Sequence, residues 1–254
     1  MSNLARRFLK GQIRPLDRLA QSLPARLAAQ LDLRRPHLYQ TEGGPMNGQA
    51  GRRKILRELV RTIEFQHVIE TGTHRGTTTE FLSAITGVTV ASVELDDRYR
   101  RFAETRLASN PDVQISGGDS RDFLRRQSTT SDAVTLFYLD AHWLDDLPLA
   151  EELKIIAGSW SKAVVVVDDF QVPDDAGYAY DDYGPGKALV PAYLPDEIGS
   201  WAVFYPAIGS VSETGARCGS AFLASPDLSE IVGKVRTLRR APTTPPTGAA
   251  PSSV

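Results

Sequence analysis

The stretch His67–Glu94, with the sequence HVIETGTHRGTTTEFLSAITGVTVASVE, decides the fold class. An apolar strand, His67–Glu70, leads into a turn with two glycines, a helix to about Ile85 and a β-branched strand, Val88–Leu95. A strand, a helix and a second strand in this order usually pair their strands in parallel. The stretch therefore predicts a βαβ unit.

The same alternation continues as far as Phe170. Further helices are expected over about Arg52–Phe65, Asp97–Ala108, Ser120–Arg126 and Leu149–Trp160, and further strands over Val113–Ser116, Val134–Leu139, Ala163–Val167, Trp201–Tyr205 and Ser220–Ala224. Uninterrupted apolar strands that alternate with amphipathic helices are typical of a parallel sheet covered on both faces. The pattern predicts an α/β fold with a mostly parallel, seven-stranded sheet.

The composition excludes several classes of protein. A chain of 254 residues can bury one sizeable core with a small appendage. The formal net charge of −2 argues against bulk binding of nucleic acid, which favours a strongly positive balance. The single cysteine, Cys218, allows neither an internal disulfide nor a cysteine zinc site. There is no apolar run long enough for a membrane span or a signal peptide, so we expect a cytoplasmic protein.

The N-terminal residues 1–51 are expected to form a basic helical arm and a linker. Met1–Pro36 has eight Lys or Arg residues against two aspartates, and its leucines recur at roughly helical spacing. The arm is either an amphipathic element that rests on an anionic membrane surface or a partner, or an extension packed on the main domain or a second copy of the chain. Thr41–Gly51, which is rich in glycine, is expected to be the linker.

The remaining chain divides into a main domain, residues 52–240, and a tail, residues 241–254, whose sequence APTTPPTGAAPSSV predicts disorder. Within the domain, Gln171–Ser200 is long for a loop and rich in tyrosine. Long loops of this kind often cover a binding site. We expect this insertion to contact a substrate through Tyr178, Tyr180, Tyr183 and Tyr193; the alternative is a surface excursion.

The turn after the first strand carries the first candidate site. Its glycines, Gly72 and Gly76, allow the backbone to pass close to a ligand, and the free N–H groups of the following helix suit an anionic group. A tight turn also requires glycine for structural reasons alone. The spacing differs from the G-x-G-x-x-G fingerprint of dinucleotide folds, which argues against an NAD-dependent oxidoreductase.

Polar residues follow the next two strands. Glu94 ends the second strand, where a carboxylate can accept hydrogen bonds from both hydroxyls of a ribose; alternatively it caps the next helix. Asp119 and Ser120 follow the third strand, where a carboxylate could meet an adenine amino group, or either side chain could be an N-cap. Because the carboxyl ends of parallel strands meet at one edge, the three motifs together predict a site for a nucleotide-like ligand.

In this order and spacing, Val68–Phe170 resembles the class I methyltransferases that use S-adenosylmethionine and have a Rossmann-like fold. The resemblance implies that the first turn holds the methionine part, the acid after the second strand the ribose and the third position the adenine. The residues carried over are Glu70, Thr71, Gly72, Gly76 and Thr77 for methionine, Glu94 for ribose, and Asp119 and Ser120 for adenine.

Three carboxylates follow the fourth and fifth strands. Asp140 ends the fourth, and Asp168 and Asp169 end the fifth. Carboxylates brought together raise one another's pKa unless a cation lies among them, and oxygen ligands of this kind suit Mg²⁺. The pattern predicts a magnesium site; the alternative is that Asp168 caps a turn and Asp140 acts alone.

This pattern is similar to that of the metal-dependent O-methyltransferases, both the catechol type and the type that methylates sugars of macrolide and aminocoumarin antibiotics. The resemblance implies that Asp140, Asp168 and Asp169 bind the metal and that the acceptor is a hydroxyl of a small molecule. The alternatives are metal-independent methylation, with Asp140 or His142 acting alone, and a non-catalytic scaffold protein of the same fold.

The general base of the catechol type is missing. There a lysine follows a His-Trp pair directly after the metal aspartate, whereas here Ala141 intervenes and Leu144 stands in place of the lysine. We expect His142 to be the base, together with Asp140 in the catalytic group, because an imidazole with a pKa of about 6.5 accepts a proton at neutral pH. Lys187 is a second candidate. The oligomeric state, for which a homo-oligomer is one option, does not follow from these residues.

Overall fold

The computed structural model describes residues 20, 22–127, 132–142 and 146–242, without the side chains of residues 40–42. The arm as far as residue 19, Leu144 and the tail from residue 243 lie outside the described residues, so the expectations placed on them stay predictions. None of the helices in the described ranges has both the length and the apolar character to cross a bilayer.

Helices and strands alternate along the described chain. The α-helices are α1 (Ala25–Leu33), α2 (Ala50–Thr62), α3 (Thr77–Thr86), α4 (Asp97–Arg106), α5 (Ser120–Gln127), α6 (Leu149–Ser159) and α7 (Ser229–Val232). The strands are β1 (His67–Thr71), β2 (Val90–Glu94), β3 (Val113–Gly117), β4 (Thr135–Leu139), β5 (Ala163–Asp168), β6 (Ala202–Pro206), β7 (Ser220–Ala224) and β8 (Leu238–Arg240).

The strands form one sheet in the order β3-β2-β1-β4-β5-β7-β6-β8. Strands β1 to β5 pair in parallel, and β7 pairs antiparallel with both β5 and β6. The α/β class and the mostly parallel sheet are thereby confirmed. The sheet has one strand more than the seven expected, because β8 adds to the far side of β6. Only Leu238 of that three-residue strand is buried, which leaves no pattern for sequence reasoning to detect.

The core lies on both faces of the sheet. Every residue of β4 and β5 is buried. Along β5, Val164 and Val166 pack into the cluster under α2, whereas Val165 and Val167 pack into the cluster under α6. Each buried valine contributes about 1.5–3 kcal/mol. The central strands thus hold the carboxyl edge of the sheet in place.

The prediction that Thr41–Gly51 is a linker is wrong. Short 3₁₀ helices lie at Pro36–Gly43 and Pro45–Gly48, and Met46 is buried in the core. The side chain of Gln49 donates to the carbonyl of Cys218 at 2.8 Å, and the N–H of Gly51 donates to Glu213 at 2.8 Å. The glycines of this segment serve a tightly packed turn rather than flexibility.

Helix α1 packs on the main domain. Ala29 and Leu38 form a small apolar cluster with Phe102 of α4. For this part of the arm, the structure shows the extension packed on the domain, which was one of the two alternatives.

Candidate functional site

The turn after β1 touches the end of β4. Gly72 has a φ of +86°, and a Cβ at this position would lie 2.2 Å from the carbonyl oxygen of Asp140. The N–H groups of Gly72 and Thr73 donate to the carbonyl of Val93 at 3.0 and 3.1 Å. Glycine is therefore required here by both backbone conformation and space, and the turn joins the carboxyl ends of β1, β2 and β4.

Glu70 offers a buried, incompletely satisfied carboxyl group inside this turn. One oxygen accepts hydrogen bonds from the hydroxyls of Thr79 and Ser92, while the other, Oε1, has no hydrogen-bond partner. Burial raises the pKa of Glu70 to about 7, although the two hydroxyls oppose the shift. Buried polar atoms are normally satisfied, so Oε1 fits a donor group of a bound ligand.

Glu94 is held by backbone groups on both sides. Its Oε2 accepts the N–H of His74 at 2.6 Å, and its Oε1 accepts the N–H of Asp96 at 2.8 Å. The cap of α4 is Asp96, which accepts the N–H of Arg98 at 2.7 Å. The structural alternative, in which Glu94 caps this helix, is therefore not what the structure shows. Burial raises the pKa of Glu94.

Asp119 behaves differently from Glu94. It accepts hydrogen bonds from the N–H and the guanidinium of Arg121, which hold the pKa of Asp119 at about 2. The structure thus gives Asp119 the N-cap role that was its alternative. Ser120 is buried and hydrogen-bonded to Glu152. Burial raises the pKa of Glu152 to about 7, and the hydrogen bond with Ser120 opposes this shift.

Asp168 is neutralised from inside the protein. Its Oδ1 pairs with the guanidinium of the fully buried Arg52, and its Oδ2 accepts the hydroxyl of Tyr138 at 2.8 Å. Burial alone would raise the pKa of this carboxyl, but Arg52 and Tyr138 hold it below its usual value. The prediction was that a metal cation balances Asp140, Asp168 and Asp169; for Asp168, the structure instead shows that the guanidinium of Arg52 supplies a positive charge.

The other acids gather around His142. Its Nε2 lies 3.8 Å from Oδ1 of Asp140 and 3.8 Å from Oδ2 of Asp181, and its side chain is only 4% exposed. Single ligand atoms of His142, Asp169 and Asp181 lie within 4.8 Å of one another. We call Asp140, Asp169 and Asp181 the acidic cluster. Burial and the carboxylates of Asp168 and Asp169 raise the pKa of Asp140 well above its usual value.

Sequence reasoning missed Asp181, which the insertion 171–200 supplies. The N–H of Asp181 donates to the carbonyl of Asp169 at 2.9 Å, which fixes the insertion to the end of β5. Asp169 itself has a φ of +49°, a left-handed conformation that aspartate tolerates better than most residues. The acidic pair inside the tyrosine-rich segment was the available signal.

The tyrosines of the insertion have different roles. The hydroxyls of Tyr178 and Tyr193 donate to the backbone carbonyls of Ile208 and Leu147 at 3.0 and 2.9 Å, and so anchor the segment. The hydroxyl of Tyr183 donates to Asp181 at 2.5 Å, beside the acidic cluster. The side chain of Lys187 is exposed. Of these three tyrosines, Tyr183 is the one that contacts the acidic cluster.

A cavity lies between the glycine turn after β1 and two of the acids, Asp140 and Asp168. It is lined by Gly44, Met46, Asn47, Gly72, Thr73, His74, Thr77, Thr78, Asp140 and Asp168. The glycine turn and the acids of β4 and β5 therefore share one cavity at the carboxyl edge of the sheet. Asp119 and Gly76 are not among the residues that line this cavity.

Comparison with known proteins identifies the fold. No protein-family model matches the chain, and no curated protein matches it. Among solved structures, it is similar to the O-methyltransferase TomG from Streptomyces achromogenes, involved in tomaymycin synthesis and solved with S-adenosylmethionine, at 19% identity and a TM-score of 0.51 over 69% of this chain and 80% of that chain.

Two further structures agree. An O-methyltransferase from Bacillus cereus in complex with S-adenosylhomocysteine is 14% identical, with a TM-score of 0.51 over 86% of this chain and 96% of that one. The cofactor-bound protein Rv0187 from MTB is 18% identical, with a TM-score of 0.50 over 87% and 95% of the two chains. At these identities the likeness shows the fold alone, which the chain shares with these two O-methyltransferase structures and with Rv0187.

Proposed function

We propose that this protein transfers the methyl group of S-adenosylmethionine to a hydroxyl of a small molecule. The observation that carries the proposal is the contact between Gly72 and the backbone of Asp140. A cofactor bound in the turn would place its reactive end beside the acids that follow β4 and β5. The O-methyltransferases of the same fold support this reaction class.

The residues around the turn fit the cofactor. We assign the methionine part to the turn from Glu70 to Thr77, where the buried Oε1 of Glu70 awaits a donor. Glu94 would bind the ribose, because the backbone N–H groups of His74 and Asp96 fix its two oxygens at the end of β2, beside the glycine turn. Ser120 and Asp119 remain the candidates for binding adenine. The carboxylate of Asp119 already accepts hydrogen bonds from Arg121, which limits what it can offer to adenine.

We further propose that the acidic cluster binds a divalent cation, for which Mg²⁺ is the best match. Asp140, Asp169 and Asp181 offer carboxylate oxygens, the ligands that Mg²⁺ prefers, and Asp181 takes the place expected for Asp168. When bound there, the cation would make the acceptor hydroxyl more acidic and orient it.

His142 is our candidate for the general base. The 3.8 Å distances from its Nε2 to Asp140 and Asp181 are too long for hydrogen bonds, so this nitrogen can accept the acceptor's proton. Tyr183 and the insertion would contact the acceptor, which we propose to be a sugar or another natural product.

Metal-independent methylation is the second candidate. His142 lies 3.8 Å from the carboxylates of both Asp140 and Asp181 and could act as a base without a cation. Turnover measured in excess EDTA separates the two: activity that survives complete removal of divalent ions supports the second candidate.

Binding measurements test the proposal directly. S-adenosylhomocysteine at 100 times its Kd should add about 2.7 kcal/mol to the free energy of unfolding, which a thermal-shift experiment detects. Mg²⁺ titrated by calorimetry should bind the wild type, and Asp169→Asn and Asp181→Asn should abolish this binding. Absence of any response to S-adenosylhomocysteine would overturn the proposed function; retained Mg²⁺ binding in both variants would overturn only the metal site.

A further inference from the structure

A single buried carboxylate ties helix α1 to two arginines of the domain. Asp32, in the last turn of α1, is 0% exposed. It accepts hydrogen bonds from Nε and a terminal nitrogen of Arg98 at 2.8 and 2.9 Å and from Arg35 at 3.2 Å. A terminal nitrogen of Arg75 lies 3.9 Å from the same carboxylate. We call these four residues the arginine cluster.

Charge makes Asp32 indispensable to this arrangement. The side chains of Arg35, Arg75 and Arg98 are between 9% and 11% exposed, so water screens them weakly. Arg75 lies over the ring of Tyr99, with 5.0 Å between its Cζ and the ring centroid, and its Nε has no hydrogen-bond partner. Without Asp32, the three guanidinium groups would repel one another in a poorly solvated place.

Two of these arginines flank the groups that fix Glu94. Arg75 directly follows His74, whose N–H donates to Oε2 of Glu94. Arg98 lies two residues after Asp96, whose N–H donates to Oε1 of Glu94. Both hydrogen bonds that orient the Glu94 carboxylate therefore come from segments held together by Asp32.

We infer that helix α1 supports the cofactor site and that Asp32 is a positioning residue for Glu94. The inference rests on the proposed function, in which Glu94 binds the ribose. Asp32 touches no ligand in this scheme; it holds the loop at His74 and the start of α4 at the separation that aims both oxygens of Glu94. The helix would then influence the site from a segment that precedes the main domain, without lining it.

A double-mutant cycle on the full chain tests this inference. Calorimetry with S-adenosylhomocysteine should give a Kd about tenfold weaker for Asp32→Asn, the loss expected when charged hydrogen bonds are displaced. Glu94→Gln should also weaken binding. If Asp32 acts through Glu94, the double variant should be little worse than Glu94→Gln alone, because the positioned group is already impaired.

Controls separate positioning from loss of stability. Ile156→Val, in the core on the other face of the sheet, lowers stability by about 0.5–1.5 kcal/mol and should leave the Kd unchanged. Where Asp32→Asn fails to fold, Arg98→Lys keeps the charge, loses the paired hydrogen bonds and should shift the Kd in the same direction.

The outcomes are distinct. A wild type that does not bind S-adenosylhomocysteine contradicts the proposed function itself. A wild type that binds, with a Kd of Asp32→Asn within about twofold of it or with additive effects in the cycle, overturns the role of Asp32 and leaves the proposed function standing.

Discussion

Two kinds of acid lie near the carboxyl edge of the sheet: buried ones and partly exposed ones. Asp32 and Asp168, the paired acids, each face guanidinium groups within the folded chain. The acidic cluster instead holds three carboxylates around the imidazole of His142. The paired acids have their counter-charge from folding alone, whereas the cluster concentrates negative charge in a cleft. Under the proposed function, charge balance, more than the presence of an acid, separates the carboxylates that stabilise the fold from those that act on the acceptor.

The largest expected effect follows from removing a charge of the acidic cluster. Asp140→Asn should lower kcat/KM by about 10²–10⁴-fold, because the proton transfer loses its charged environment. The Kd of S-adenosylhomocysteine should stay near that of the wild type. Steady-state kinetics and calorimetry measure the two. Asp182→Asn, an exposed neighbour of Asp181, is the matched control and should keep full activity; equal losses in both variants would remove the distinction between the cluster and surface acids.

Breaking a paired acid should affect stability instead. Arg52→Met leaves Asp168 buried without its guanidinium and should lower the free energy of unfolding by about 3–5 kcal/mol. Urea denaturation followed by circular dichroism measures this. Replacing both partners, Arg52→Met with Asp168→Leu, should recover much of the loss. A cost of Arg52→Met below about 1 kcal/mol would place Asp168 with the acidic cluster after all.

Glu70 belongs to neither group of acids. It is buried, and its hydrogen bonds come from two hydroxyls rather than from a guanidinium. Its pKa is raised from 4.5 to about 7, so the folded state retains a proton that the unfolded state releases. The stabilising contribution is complete below pH 4.5 and is lost as the pH rises through about 7. Glu70→Gln should therefore gain up to about 3 kcal/mol relative to the wild type between acidic and neutral pH.

Thermal melts over this pH range measure the effect. The wild type and Glu70→Gln should diverge steadily as the pH rises and run parallel above about pH 7.5. Parallel curves throughout would mean that Glu70 ionises at its ordinary pKa in the folded protein, and curves that converge as the pH rises would place it with the paired acids.

The smallest effect is expected at Asp119, whose carboxylate forms an ion pair with Arg121 at the surface. Asp119→Ala removes an N-cap and should cost about 1 kcal/mol of stability. Because its oxygens are already engaged by Arg121, the Kd of S-adenosylhomocysteine should change little. A Kd that rises tenfold or more, by calorimetry, would show that Asp119 binds adenine despite its pairing with Arg121 (about 1.4 kcal/mol).

Much of the fold followed from local patterns. The valines of β5 and the glycine turn after β1 have only one comfortable arrangement, a buried strand and a tight entry into a helix. The segment at Met46 and Asn47 did not follow, since both residues adopt left-handed backbone conformations that only long-range packing selects. Strand β8 was too short for a pattern.

The sequence predicted at which edge of the sheet the candidate site lies, but not which charged side chains pair with one another there. The predicted strand ends put Glu70, Glu94 and Asp140 at the carboxyl edge of the sheet, and the structure has them there. Which acid is neutralised depends on Arg52, 116 residues away from Asp168 in the chain, and no spacing rule links them. Asp168 and Asp169 were predicted to share one role because they are adjacent in the sequence. Adjacent residues at a strand end point in different directions, so the two side chains have different environments.

The attachment of Asp181 to the end of β5 limits how this protein could be diversified. The segment proposed to contact the acceptor is also the segment that contributes Asp181 to the proposed metal site. A chimera with a transplanted segment would exchange selectivity and chemistry in the same step, unless the donor segment carries a carboxylate at the matching place. New acceptors are therefore easier to reach by changing the side chains around Tyr183 one at a time than by swapping the whole loop.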